Sequence, residues 1–201
     1  MPDPMPNWPL AAYFAAYVLL LFVGRSLVVW RRTGVNPYVL PRSDDAHGYV
    51  ARVFRFILPL CAAAAIVPWA APGANAWLGP VPALEHPAAW AVGWGLLLAS
   101  FAWIAVAQAQ MGVSWRIGID EERSTALVER GLFRVSRNPI FLGMRGTLVG
   151  LALVDPSVVT LLVLVAGEIL MQVQVRLEEA HLAALHGEAY AAYRRRVRRW
   201  L

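Results

Sequence analysis

The chain has 201 residues, of which 59% are apolar and only 15% charged, and its net charge is +5. With a positive mean hydropathy, these values exclude an ordinary soluble domain and demand lipid as solvent for much of the chain. All eighteen basic residues are arginine, and their placement makes the positive charge a matter of topology and anionic lipid, so no nucleic-acid partner is expected.

A span needs about 20 apolar residues to cross roughly 30 Å of hydrocarbon. Three full spans are predicted over Pro9 to Trp30, Val53 to Ala71 and Pro87 to Met111. The leading MPDPMPNW has no positive n-region, and no small-residue cleavage site follows the first apolar run, so that run is expected to stay as an anchor. Cys61 is the single cysteine and lies inside the second span, which leaves no disulfide framework and no CxxC metal motif. Residues 72 to 87, rich in Pro, Gly and Ala, read as an exposed loop. The polar stretch from Gly112 to Asn138 is punctuated by Gly112, Gly118 and Gly131 and must fold over a membrane face.

Two shorter apolar runs follow, Ile140 to Val154 and Ser157 to Val175, separated only by Asp155 and Pro156, a tight helical hairpin. The arginines fall in three blocks, 25 to 55, 116 to 145 and 176 to 199. With five helices all three blocks share one side, which the positive-inside rule makes cytoplasmic. The expectation is an all-α integral membrane protein with five transmembrane helices, N-terminus outside and C-terminus cytoplasmic, in a bacterial inner membrane. Residues 1 to 111 would form three N-terminal spans, and 112 to 201 a core with the hairpin and a C-terminal interfacial helix.

Asn138-Pro139 is a helix-entry signal, because proline fits the first turn and disfavours helical geometry in the residue before it. Asn138 would cap the fourth helix. The free amides there, with Arg137 beside them, suit an anionic group, although such a cap also has a purely structural reading. Arg176, Glu178 and Glu179 stand where the fifth apolar run stops. They are suited to a cationic, amino-acid-like ligand or simply to a solvated helix end. A short hairpin returns Arg176 close to Asn138, so both clusters are expected to face one pocket. Reflection about the turn sets Arg145 opposite position 166, so Arg145 and Glu168 are predicted to pair, since ionisable groups within a span need partners. Gln172 would extend that polar stripe toward Arg176, and Gln108 and Gln110 are candidates to face the pocket.

The stretch Leu127-Val128, Gly131, Phe133, Arg137 to Phe141 and Gly143, followed by Glu178-Glu179, Leu182, Gly187, Tyr190 and Tyr193, resembles the isoprenylcysteine carboxyl methyltransferase family. That family sits within a group of membrane methyltransferases that includes the phospholipid methyltransferases. The resemblance covers about the last ninety residues. It implies S-adenosylmethionine bound at the cytosolic face, with Thr125, Ala126, Leu127, Val128, Phe133, Asn138, Pro139, Ile140 and Phe141 lining the pocket. Glu178 would hold the cofactor, and Tyr190 would help close the pocket, with Arg137 beside it. Arg176 lies near the family's substrate-orienting arginine, and Arg176 and Glu179 are the candidate catalytic residues. Asn138 stands where the eukaryotic enzymes have histidine, and Phe133 and Phe141 stand where tyrosine is usual.

The expected acceptor is a lipid-like or amphiphilic molecule reached from the bilayer. A carboxylate is already ionised near neutral pH and needs no base. An ammonium headgroup would have to lose a proton first, with His181 and His186 the nearest candidate bases. Two other readings stay open: a reductase on the same scaffold using NADPH, and a non-catalytic membrane protein. No metal site is expected, and the sequence leaves oligomeric state unread.

Overall fold

The computed structural model describes residues 8–40, 43–118 and 126–201, and among them the protein is helical throughout, with isolated β-bridges and no strand. Four helices are long and apolar enough to cross a membrane: α1 (Trp8–Thr33), α2 (Ala46–Ala70), α3 (Pro87–Met111) and α5 (Val158–His186). A fifth apolar helix, α4 (Pro139–Val154), has 16 residues, and α6 (Glu188–Arg196) closes the chain.

The third apolar run became a helix at its predicted bounds, whereas the first extends further at both ends and the second begins seven residues earlier, at Ala46, and stops at Ala70. The middle of α1, Tyr17–Gly24, is wound as a π-helix, and buried Gln108 of α3 donates to the Leu21 carbonyl within it at 3.0 Å. The five long helices pack in a ring in the order α1, α2, α5, α4, α3 and back to α1. Their buried side chains form one core that includes Tyr13, Tyr17, Leu97, Ile104, Leu151 and Met171.

Helices α3 and α4 make the closest approach, through small residues that let backbones meet. A Cβ on Gly143 would stand 2.4 Å from the Ile104 side chain, and one on Gly150 would stand 2.9 Å from the Gly93 carbonyl. The hairpin turn between α4 and α5 is Asp155, Pro156 and Ser157. There Ser157 and Thr160 form a reciprocal capping box, and Val158 N–H donates to the Gly79 carbonyl at 2.8 Å.

The fifth apolar run does not stop as a helix at Val175. Arg176 to Glu179 are good helix formers, and no glycine or proline intervenes before Gly187. The apolar part of α5, residues 158 to 175, is about 27 Å long, and the remaining turns project beyond it carrying the polar residues. Gly187, at φ +51°, then breaks the helix and lets α6 fold back. The inner face of α6, Tyr190 and Tyr193 with Val197, packs on Leu127, Leu182 and Ala183.

Candidate active site

At the arginine-rich end of the bundle the chain from Arg130 to Asn138 is pinned from two sides. Gln110, at the end of α3, accepts the Leu132 N–H on its side-chain oxygen at 2.7 Å, and its own carbonyl accepts from Arg130 at 3.1 and 3.2 Å. A Cβ on Gly131 would stand 2.3 Å from the Gln110 amide, so glycine is what permits this approach. From the other side, Tyr193 donates its hydroxyl to the Phe133 carbonyl at 2.7 Å, and the Arg137 N–H donates to the Arg198 carbonyl at 3.0 Å.

Asn138 occupies the N-cap position of α4 but makes no side-chain cap bond. Its amide instead donates to Glu179 at 3.3 Å and to the Arg199 carbonyl at 3.2 Å. The expected cap is thus corrected: the side chain is drawn to a buried carboxylate, a stronger acceptor partner.

Glu179 is the centre of this knot. It is 5% exposed, receives two hydrogen bonds from Arg199 at 3.1 and 2.8 Å, and pairs with Arg137 at 3.2 Å. Burial alone would raise its carboxyl, but Arg199, Arg137 and Asn138 together hold it below the usual carboxylate range. The same contact raises Arg199 above its ordinary value.

Glu178, one residue earlier, has the opposite environment. It has no hydrogen bond or ion pair among the described residues, and it lines a cavity of about 90 Å³ with Ala126, Leu127, Val128, Phe133, Arg137 and His181. Burial, then the neighbouring Glu179 charge, pushes its carboxyl up to about 7. Arg137 reaches the same cavity, and its Nε is buried without a hydrogen-bond partner. One wall therefore presents a cation with donor capacity to spare and a carboxyl group with no partner among the described residues.

An adjoining cavity of about 80 Å³ continues from Arg137 and Glu178 past Asn138, Pro139, Ile140 and Phe141. Ile140, Phe141 and Gln174 are shared with a third of about 100 Å³, which runs between α1, α2 and α4 along Tyr17, Phe54, Leu58 and Met144. A fourth, about 50 Å³ and lined almost wholly by apolar atoms, shares those last residues and is lined also by Cys61, Leu148 and Gly167. The series runs from polar at the arginine-rich end to apolar inside the ring.

Of the residues expected to line a cofactor pocket, Ala126, Leu127, Val128, Phe133, Arg137, Asn138, Pro139, Ile140, Phe141 and Glu178 border these two linked cavities. Thr125 lies outside the described residues. Tyr190 is buried beneath the site but borders none of the four cavities. The two candidate catalytic residues border none either. Glu179 is fully engaged in the knot, and Arg176 is exposed, bonded to the Gln172 carbonyl at 2.6 Å and its side chain at 2.9 Å.

Helical geometry explains the separation: Gln174, Glu178 and His181 share one face of α5, whereas Glu168, Gln172 and Arg176 share another. On that second face Arg145 and Glu168 pair at 2.7 Å, as predicted, and Gln172 donates to Glu168 at 2.8 Å. Gln108 borders the third cavity, and Gln110 serves as the latch described above. His186 is set apart from all four cavities.

Tyr193, which the family resemblance pairs with Tyr190 in closing the pocket, does border the first cavity, whereas Ser114, Trp115, Arg116, Gly118 and Gln174 are lining residues that sequence reasoning missed. Gln174 was within reach, being one turn before Glu178. Trp115 to Gly118 were not, because they are placed by the α1–α2 connection, where Val39 N–H donates to the Ile117 carbonyl at 3.0 Å and Ile117 N–H to the Pro37 carbonyl at 2.9 Å.

The family profile described as phospholipid methyltransferase matches residues 88–189, which takes in nearly all of α3, the whole hairpin and the start of α6. The chain belongs to this family. It is the family of membrane methyltransferases that includes the isoprenylcysteine carboxyl methyltransferases. The match begins within the third apolar run, earlier than the resemblance read from the sequence, which covered about the last ninety residues. Among the curated proteins and among the solved structures, none matches the chain. Family membership and the apolar helices together make this protein an integral membrane methyltransferase.

Proposed function

We propose that the protein transfers a methyl group from S-adenosylmethionine to an amphiphilic acceptor whose tail lies within the helical ring. The observation that carries this reading is the cavity in which Arg137 keeps an unused Nε donor and Glu178 a carboxyl with no partner among the described residues, adjoining an apolar series leading between α1, α2, α4 and α5. The amino-acid part of the donor carries a carboxylate and an ammonium, which match Arg137 and Glu178 respectively. Family methyltransferases generally use this donor. Ala126 to Val128 and Phe133 supply apolar and backbone surface beside the two charges.

The donor supplies a methyl group on a positively charged sulfur, and transfer breaks that S–C bond as the acceptor forms its own bond to the same carbon, leaving a neutral thioether. Such an in-line displacement needs orientation and exclusion of water more than it needs proton transfer. Asn138, Pro139 and Phe141, which border the junction between the polar and apolar cavities, would set where the acceptor's reacting atom stops. Glu179 acts one step back, holding Arg137 and the start of α4 in place. Five helices would then cross the bilayer with the arginine-rich end in the cytoplasm, N-terminus outside and C-terminus inside.

A carboxylate acceptor fits because it needs no base. A second reading, an amine headgroup, is favoured by one observation: His181 borders the same cavity as Glu178, so a proton acceptor is at hand. Incubating membranes with methyl-labelled donor and treating the extracted lipids with mild alkali separates the two. A methyl ester releases its label as methanol, whereas an N-methyl group keeps it. Label in neither form would overturn both.

A further inference from the structure

The C-terminal tail carries two different faces. Inward, the Arg199 side chain grips Glu179, and the Arg199 carbonyl accepts from Ser136 at 3.2 Å and from Asn138 at 3.2 Å. Outward, Arg194 and Arg198 are exposed and have no ion pair among the described residues, unlike Arg195 and Arg196, which pair with Glu188 and Glu129. The bond from Arg137 N–H to the Arg198 carbonyl lays this tail beside residues 134 to 137, where Arg134 is also exposed and unpaired among the described residues.

The composition and place of the tail point to what covers that outer face. Trp200 stacks over the Arg145 guanidinium at 4.5 Å, and Arg145 stands six residues, about 9 Å, below the start of α4. The tail therefore runs alongside the first half of an apolar helix at the arginine-rich end of the bundle. Exposed Val135 and Leu201, at 52% and 61%, flank the arginines there. Exposed arginine beside tryptophan and aliphatic side chains, at the polar end of membrane-crossing helices, is the chemistry that receives a phosphate with its acyl chains.

We propose that Arg134 and Arg198 hold the headgroup of an anionic phospholipid, and that this lipid keeps the Arg199–Glu179 knot closed by fixing the tail from its outer side. The lipid is a bound structural partner, distinct from the acceptor in the internal cavities. Its test uses no methyl donor, so its outcome is separate from that of the proposed reaction.

The experiment is native mass spectrometry of the detergent-released protein titrated with phosphatidylglycerol or phosphatidylcholine, for wild type and the Arg134→Gln/Arg198→Gln variant, which alters no residue bordering a cavity. Wild type should retain the anionic lipid in preference to the neutral one, and the variant should lose that preference by roughly tenfold. In parallel, hydrogen exchange at the Arg137 amide should slow in bilayers containing phosphatidylglycerol for wild type and stay unchanged for the variant. Equal lipid retention by the two proteins would overturn the site. Lost retention with exchange at Arg137 indifferent to lipid in wild type would overturn the coupling to the knot.

Discussion

Arg199, two residues before Leu201, closes on Glu179 with two hydrogen bonds, at 3.1 and 2.8 Å. The contact joins the last turn of the chain to the polar end of α5, and Arg137 completes it from the start of α4. Removing one member of a buried ion pair costs more than the pair contributes, because the survivor is left buried and unsatisfied. Glu179→Gln strands Arg137, whose side chain is 10% exposed. It should destabilise the protein by about 3 kcal/mol. Arg199→Gln should cost less, because Arg199 is 31% exposed and Glu179 retains Arg137. Thermal unfolding in detergent should order the variants in that way, and the reverse order would contradict the assigned geometry.

Glu178 is predicted to behave in the opposite manner. With no partner among the described residues and a carboxyl pushed up to about 7, its ionisation in the folded state is unfavourable. Its stability contribution is therefore complete below the unfolded carboxylate value and is lost as pH rises through about 7. Glu178→Gln removes that loss, so the variant should gain stability relative to wild type between pH 5 and pH 8. Unfolding midpoints of both proteins across that range are the check, and a constant difference would count against it.

The partial exposure of Arg145 and Glu168, at 30% and 36%, makes their pair a test of the hairpin register. Arg145→Glu and Glu168→Arg should each lower folded yield, and the two together should recover part of it. Recovery should stop short of wild type, because Trp200 loses the cation beneath its ring. Fluorescence-detected size exclusion gives the yields, and equal losses in all three variants would argue against the pairing.

Much of this architecture was legible in the sequence, because lipid imposes simple rules. Apolar runs, arginine blocks and the Asp155-Pro156 break were sufficient to predict the hairpin, and reflection about that turn placed Arg145 against Glu168. Part of the cofactor-pocket lining was legible too, through spaced residues that resemble a known family. What could not be read was competition among polar partners. Asn138 carries a capping signature, yet Glu179 and the Arg199 carbonyl claim its side chain. Arg199 looked like one interfacial arginine among several, and only tertiary contact distinguishes it from Arg198. The split between Glu178 and Arg176 was available from helical periodicity, but it required α5 to run on past Val175.

The apolar cavities carry a further prediction. Cys61 lines the most apolar cavity of the series, of about 50 Å³. Cys61→Phe should fill that space, so long-chain acceptors should lose turnover while short-chain ones keep it and donor affinity stays unchanged. A uniform loss for all chain lengths would indicate that tails do not reach this depth.

In the proposed reaction Arg137 and Glu178 form one donor cavity. Calorimetric titration of S-adenosylmethionine into the purified protein at pH 8, with Glu178→Gln and NADPH as comparisons, tests this most directly. The prediction is binding to wild type, weakened at least about tenfold in the variant, in keeping with loss of a charge-assisted hydrogen bond, with no binding of NADPH. Undiminished affinity in a folded Glu178→Gln protein, or binding of NADPH in place of the methyl donor, would contradict it.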